Sequence, residues 1–176
     1  TVKTKILKKF LTQKKNNNHS SSDFTVKLWD VEKGEDMLTI GGHSDIIQSC
    51  AWNKDGSQLV SACRDKKLRM IDPRKQAVTS EVVCHQGVKG LRVCWMTDKD
   101  KLLSTGFTKT IEREFCIWDP RNLAEPLTKQ ILDTQSGVIM PFYDPETSLL
   151  FLAGKGDGNV RFYEVADDKP FFHYIT

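Results

Sequence analysis

The chain has 176 residues, which is enough for one ordinary domain of about 100 to 200 residues. Its content of 39% apolar and 28% charged residues is typical of a globular protein, and its apolar runs are far shorter than the roughly 20 residues that span a bilayer. The net charge of +3 comes from residues 1–22, which carry six lysines and no acid. Composition therefore predicts no integral membrane segment, and it does not favour nucleic-acid binding by the remaining, slightly acidic part.

Residues 1–22 form a basic, Asn-rich leader. No apolar run or small-residue cleavage site follows its lysines, so a secretory signal is not predicted and a cytoplasmic protein is expected. Three interpretations of the leader remain open: a short amphipathic helix for a membrane or a partner, a degenerate strand built from "KKFLTQKK", or a disordered segment outside the fold. We favour disorder, because the run Asn16-Asn17-Asn18 marks low complexity.

Four related segments follow: "TVKLWD", "KLRMID", "EFCIWD" and "NVRFYE". Their anchor side chains are spaced by 42, 47 and 45 residues: Trp29, Ile71, Trp118 and Tyr163. Six positions before each anchor lies an acid: Asp23, Asp65, Glu112 and Asp157. A second series, Trp52, Trp95 and Phe142, has intervals of 43 and 47 residues. This period predicts WD40 repeats with four strands in each blade.

Short alternating segments joined by turn residues dominate residues 23–176. Between Trp52 and Ile71 the order is a turn at Asp55-Gly56, a strand "QLVSAC", a turn "RDKK" and a strand "LRMID". The predicted fold class is therefore all-β, a partial WD40 β-propeller of about three and a half four-stranded blades. We expect "DFTVKLWD" to be the last strand of a blade whose earlier strands are replaced by the leader.

WD40 repeats bury a hydrogen-bonded set made by a loop His, a strand Ser or Thr, a turn Asp and a strand Trp. One repeat matches it with His43, Ser61 and Asp65, and the next with His85, Ser104, Glu112 and Trp118. The last repeat keeps Asp157 but shows no obvious His. The fold accounts for every member of these sets, so a His-Asp-Ser hydrolase triad is not favoured, and we expect no enzyme activity.

Cysteines and glycines offer weaker motifs. The five cysteines include no CxxC pair, and in Cys84-His85 the neighbouring side chains of a strand point to opposite faces. The stretch "GKGDGN" lacks the GK[ST] ending and the following helix of a phosphate loop, so it predicts a hairpin turn. No metal and no cofactor is predicted.

Five strings are much more specific than a WD repeat: "DKKLRMIDPR", "EVVCHQGVKG", "LSTGFTKTIEREFCIWDPRNLAEPL", "LDTQSGVIMPFYDPETSLLFLAGKGDGNVRFYEV" and "PFFHYIT". With them the chain resembles the coronins from about residue 23 to its end. The resemblance implies a seven-bladed propeller, with a packed extension and usually a coiled coil after it. It also implies a non-catalytic protein that binds filamentous actin and influences filament branching and turnover.

The expected function is therefore actin-filament binding in the cytoplasmic actin cytoskeleton, with the actin-branching complex as a further partner. The alternative is a general WD40 protein-protein adaptor that does not bind actin. Two basic stretches are either solvated turns or a patch for an acidic partner, and they supply the candidate actin contacts Lys66, Lys67, Arg69, Lys89 and Arg92. A partial propeller has unpaired strand edges, so we expect this polypeptide alone to be marginally stable or to self-associate.

Overall fold

The structure is a computed structural model that describes residues 24–30 and 33–175. The strands are β1 Val26–Asp30, β2 Glu35–Ile40, β3 Ile47–Trp52, β4 Leu59–Cys63, β5 Lys67–Asp72, β6 Ala77–Val83, β7 Arg92–Met96, β8 Lys101–Phe107, β9 Arg113–Trp118, β10 Thr128–Asp133, β11 Ile139–Asp144, β12 Leu149–Gly154, β13 Val160–Val165 and β14 Phe172–Tyr174. The predicted leader, residues 1–22, and Asp23 lie outside the described residues.

The strands form four antiparallel sheets, which we call blades A to D. Blade A contains β1 and β2, blade B β3 to β6, blade C β7 to β10 and blade D β11 to β14. The first strand of blade C, β7, contacts both β3 of blade B and β11 of blade D, so the blades fan out from these three strands. The described residues contain no helix, and the predicted all-β partial propeller is confirmed.

No helix that could cross a membrane occurs in the part of the chain that the structure describes.

Strand β1, which contains Trp29, occupies a different place from the one predicted. It pairs with β2 in the same sheet, as β5 pairs with β6 and β9 with β10. The segment "TVKLWD" is therefore the third strand of a blade, and β2 is the fourth. The sequence reading missed β2 because "EDMLTI" carries no WD-type anchor that could be aligned.

Side chains alternate between the two faces of each strand, and in blades B and C both faces pack against a neighbouring blade. In blade B, Val60 and Met70 face blade C, whereas Leu59 and Ile71 face blade A. Blade C meets blade B through a cluster that contains Trp95, Leu102 and Trp118, and it meets blade D through one that contains Leu103, Phe115 and Ile117. The core consists of these layers between blades.

The second predicted series, Trp52, Trp95 and Phe142, is shifted by one residue in its last member. Trp52 pairs with Leu59 and Trp95 with Leu102, and the matching pair in blade D is Tyr143 with Leu150. Tyr143 packs against the core between blades C and D, whereas Phe142 is 61% exposed on the opposite face. Both positions are aromatic, so the sequence alone did not distinguish the two registers.

Candidate protein-binding surface

The loops that carry the predicted functional residues lie at one edge of blades B, C and D. The start of β3 pairs with the end of β4, and the end of β6 pairs with the start of β5. The same register in blades C and D places equivalent loops there. We call this the histidine edge; it comprises residues 41–46, 64–66, 84–91, 108–112, 134–138 and 155–159.

His85 organises the histidine edge of blade C. Its Nε2 lies 2.9 Å from Ser104 Oγ, and the Trp118 indole Nε1 donates to the same hydroxyl at 2.9 Å. On the other side of the ring, His85 Nδ1 lies 2.7 Å from Glu114 Oε1. These four side chains are buried, so their hydrogen bonds replace the water they lost. The arrangement holds the loop before β7 onto strands β8 and β9.

The acid of this set is Glu114, not Glu112 as the sequence predicted. Glu112 instead accepts hydrogen bonds from the hydroxyls of Thr108 at 3.2 Å and Thr110 at 2.8 Å. The loop between β8 and β9 is longer than its counterpart in blade B, so counting six residues back from Trp118 stops inside the loop. Glu114 lies on β9 directly opposite Gly106, the residue against which the His85 ring packs.

Burial disfavours the charged form of Glu114, but hydrogen bonds from His85 and Lys129 outweigh it and hold the pKa of Glu114 below its ordinary value. Lys129 Nζ lies 2.9 Å from Glu114 Oε2. The carboxylate therefore stays charged at neutral pH, with both oxygens paired. Ser104 has no exposed surface, and this buried position gives its hydroxyl no access to a substrate.

Blade B carries a reduced version of the set. His43 Nε2 lies 2.8 Å from Ser61 Oγ, so the structure brings these two predicted residues together. Burial lowers the pKa of His43. Asp65, however, bonds elsewhere: Ser44 Oγ donates to it at 2.8 Å, and Arg69 contacts it through both terminal nitrogens. Despite partial burial, these bonds from Arg69 and Ser44 lower the pKa of Asp65.

In blade D an arginine from blade C takes the position of the missing histidine. A Cβ on Gly106 would collide with the ring of His85, and a Cβ on the equivalent Gly154 would collide with Arg113 Nη1. Arg113 bonds Asp133 of its own blade at 2.6 Å and Asp157 of blade D at 2.8 and 3.0 Å. Sequence reasoning placed Asp157 in a hydrogen-bonded set but missed Arg113, whose signal would have been an unmatched Arg at the start of β9.

The candidate actin contacts differ in what they can reach. Arg69 is 2% exposed and is paired with Asp65 and Glu81, so it is not available as a contact, contrary to the sequence prediction. Lys67 also pairs with Glu81. Arg92 is half-buried and donates to the carbonyl of Leu91 at 2.9 Å.

Four lysines at the histidine edge form no ion pair among the described residues. They are Lys66, Lys89, Lys109 and Lys155. Lys66 and Lys89 were predicted contacts. Lys109 and Lys155 were missed because each is a single basic residue in a turn and not part of a basic stretch. The nearby acids Asp65, Glu81, Glu114, Asp133 and Asp157 pair with basic groups, and of the described acids at this edge Glu112 alone forms no ion pair. The unpaired lysines therefore leave this edge cationic.

The described cysteines and possible metal ligands do not form a reactive site. Burial raises the pKa of Cys94 to about 11 and of Cys116 to about 12, and it also raises that of Cys84, which keeps these thiols protonated and unreactive. Within the described residues, no group of three or more His, Cys, Asp or Glu side chains is arranged to hold a metal ion.

Comparison with known proteins identifies the family. The model described as WD domain, G-beta repeat, matches residues 34–72. Coronin-A of Dictyostelium discoideum is 54% identical over 144 residues, which are 82% of this chain and 32% of that protein. The chain is a coronin homologue. Coronin-2A of Homo sapiens is 41% identical over 159 residues, covering 88% of this chain and 30% of the relative.

A solved structure supports the same assignment. The WD40 domain of Toxoplasma gondii coronin superposes with a TM-score of 0.79 at 31% identity, over 86% of this chain and 39% of that one. The predicted coronin resemblance is thus confirmed. This coronin homologue spans about a quarter to a third of the length of the relatives it matches.

Proposed function

We propose that this coronin homologue is a non-catalytic WD-repeat protein that binds actin filaments through its cationic histidine edge. The homology carries the proposal: identity of 54% extends over 144 residues, which are 82% of this chain. The unpaired lysines support it, because complementary charge steers association with an acidic surface such as that of actin. Location at the cytoplasmic actin cytoskeleton and contact with the actin-branching complex follow as parts of the same proposal.

Co-sedimentation with actin filaments at low and high salt tests this function. A triple variant replaces one unpaired lysine in each of blades B, C and D: Lys66→Glu, Lys89→Glu and Lys155→Glu. It should weaken binding at least about tenfold, or about 1.4 kcal/mol. The loss should shrink at high salt, because screening weakens exposed charge interactions.

A matched control carries the same charge change on exposed lysines elsewhere. Lys33→Glu, Lys54→Glu and Lys75→Glu lie in turns at the opposite edge and should leave binding within about twofold. If the unmodified chain does not pellet with filaments at low salt, actin binding is refuted. Recovery of a defined partner other than actin would then favour the general adaptor.

A further inference from the structure

Two loops of blade C, residues 86–90 and 108–112, are joined at the histidine edge. The Gly87 amide donates to the carbonyl of Phe107 at 2.7 Å. Lys89 Nζ lies 5.2 Å from the centre of the Phe107 ring, which is itself buried. The first loop is therefore fixed on the residue from which the second loop begins.

The second loop has a defined shape of its own. The Thr108 amide donates to the Glu112 carbonyl at 2.8 Å, and the Ile111 amide to the Thr108 carbonyl at 3.1 Å. The Glu112 carboxylate accepts from Thr110, which ties the side chains of the loop together. Ile111 has a φ of 68°, a conformation that is a true outlier for a β-branched residue. Such strain persists where the surroundings enforce it, and it clusters at functional sites.

Both loops present apolar side chains to solvent. Val88 is 73% exposed and Ile111 is 53% exposed. The corresponding turns in the neighbouring blades are polar: residues 64–66 read Arg-Asp-Lys and residues 155–159 read Lys-Gly-Asp-Gly-Asn. Among the described turns of blades B, C and D between the second and third strands, only that of blade C exposes a large apolar side chain, Ile111. Packing within the fold does not explain it, because neither side chain contributes to a core cluster.

The charges beside these two side chains define the partner. Lys89 and Lys109 flank them and form no ion pair with any described residue. The carboxylate of Glu112 accepts hydrogen bonds from Thr108 and Thr110, and that of Glu114 is buried with His85. Two unpaired lysines against one unpaired carboxylate leave a net positive charge here, which a partner surface with carboxylates around a small apolar depression would complement. Binding hot spots are anchor side chains that become fully desolvated, surrounded by contacts that exclude water.

We propose that Val88, Lys89, Lys109 and Ile111, which we call the blade C tip, are the anchor by which the protein docks on an acidic, apolar-centred surface of the actin filament. This inference rests on the proposed function and adds to it a single point of contact. The lysines orient the encounter, and the two apolar side chains hold the complex once it has formed.

Filament co-sedimentation of a Val88→Ser, Ile111→Ser double variant tests the anchor. We expect a loss of affinity of about tenfold or more at both low and high salt, because apolar contacts are not screened. Both positions are exposed, so the thermal transition should not move by more than a few degrees. The matched control, Met37→Ser with Ile131→Ser, removes two other exposed apolar side chains and should bind as the unmodified chain does.

Two failures are distinguishable. If the unmodified chain binds filaments and the Val88→Ser, Ile111→Ser variant binds equally well, the anchor is wrong and actin binding stands. If the unmodified chain does not bind, both are refuted. A photoreactive residue at position 111 gives a second readout that does not depend on affinity: it should cross-link to actin, whereas the same residue at position 131 should not.

Discussion

The Arg113 guanidinium has no exposed surface and lies between Asp133 of its own blade and Asp157 of the next. The hydrogen bonds that Arg113 donates to Asp133 raise the pKa of Arg113, and they in turn lower the pKa of Asp133. Arg161 also reaches Asp133, at 2.6 Å. A buried charge that is fully paired in this way tolerates the loss of one partner poorly.

Arg113→Met should therefore lower the free energy of unfolding by about 3 to 5 kcal/mol, because it leaves the Asp157 carboxylate buried without its main counter-ion. Urea titration measures this. Arg121→Met provides the control: Arg121 is 80% exposed and pairs with Asp119, so its loss should leave the free energy of unfolding nearly unchanged. Equal effects of the two substitutions would contradict the buried pairing.

The placement of the acid in blade C can be tested in the same way. Glu114→Ala leaves His85 and Lys129 without their partner and should cost about 1 to 3 kcal/mol. Glu112→Ala removes only contacts to threonine hydroxyls in an exposed loop, so its effect should stay within about 0.5 kcal/mol. If Glu112→Ala causes the larger loss in thermal or urea unfolding, the assignment of Glu114 as the acid of this set is wrong.

At the scale of strands, equivalent residues experience different surroundings. Ile117 on β9 and Met70 on β5 are buried against the next blade, whereas their counterpart Phe162 on β13 is 42% exposed. The pattern of a strand determines which side chains share a face, but the neighbouring blade determines whether that face is buried. The same substitution should therefore have unequal effects in the two strands.

Ile117→Ala should destabilise by about 2 to 5 kcal/mol, because it opens a cavity between blades C and D. Phe162→Ala should cost less than about 1 kcal/mol in the isolated chain, since the ring is only partly removed from water. Denaturant unfolding of the two variants side by side checks the difference. Comparable losses would show that the outer face of blade D is covered in solution.

The sequence predicted the class, the period and individual strands such as β4 and β5, because alternating apolar residues and turn dipeptides act locally. It failed where a one-residue shift leaves the pattern intact, as with Phe142 and Tyr143, and where loop length changes, as with Glu112 and Glu114. The availability of Arg69 could not be predicted, because its burial depends on ion pairs to two other segments. Pairing of charges between a turn and neighbouring strands is not encoded in the alternating pattern of one strand.

At the scale of the molecule, the outer face of blade D is an exposed apolar surface. It presents Met140, Phe142, Val160 and Phe162, each at least 42% exposed. The equivalent faces of blades B and C are covered by the next blade. Exposed apolar surfaces of this kind promote association.

Sedimentation velocity between about 1 and 100 μM should therefore show concentration-dependent association of this polypeptide. Phe142→Ser with Phe162→Ser should shift it toward the monomer, whereas Met37→Ser, which alters another exposed apolar side chain, should not. A single monomeric species across the whole range would refute the self-association expected from the sequence.

The two interfaces between neighbouring blades, B with C and C with D, differ in their polar contacts. Blades B and C are linked by neutral hydrogen bonds, such as Leu91 to Gln48 at 2.6 Å, over an apolar layer. Blades C and D add ion pairs at both edges, with Arg113 at one and Lys99 and Lys101 on Asp167 at the other. Salt should weaken the interface between blades C and D by screening the pairs of Lys99 and Lys101 with the exposed Asp167, whereas the neutral hydrogen bonds between blades B and C are not screened. The order in which blades separate under denaturation would then be set by the ionic strength of the medium, not by the sequence position of the blades.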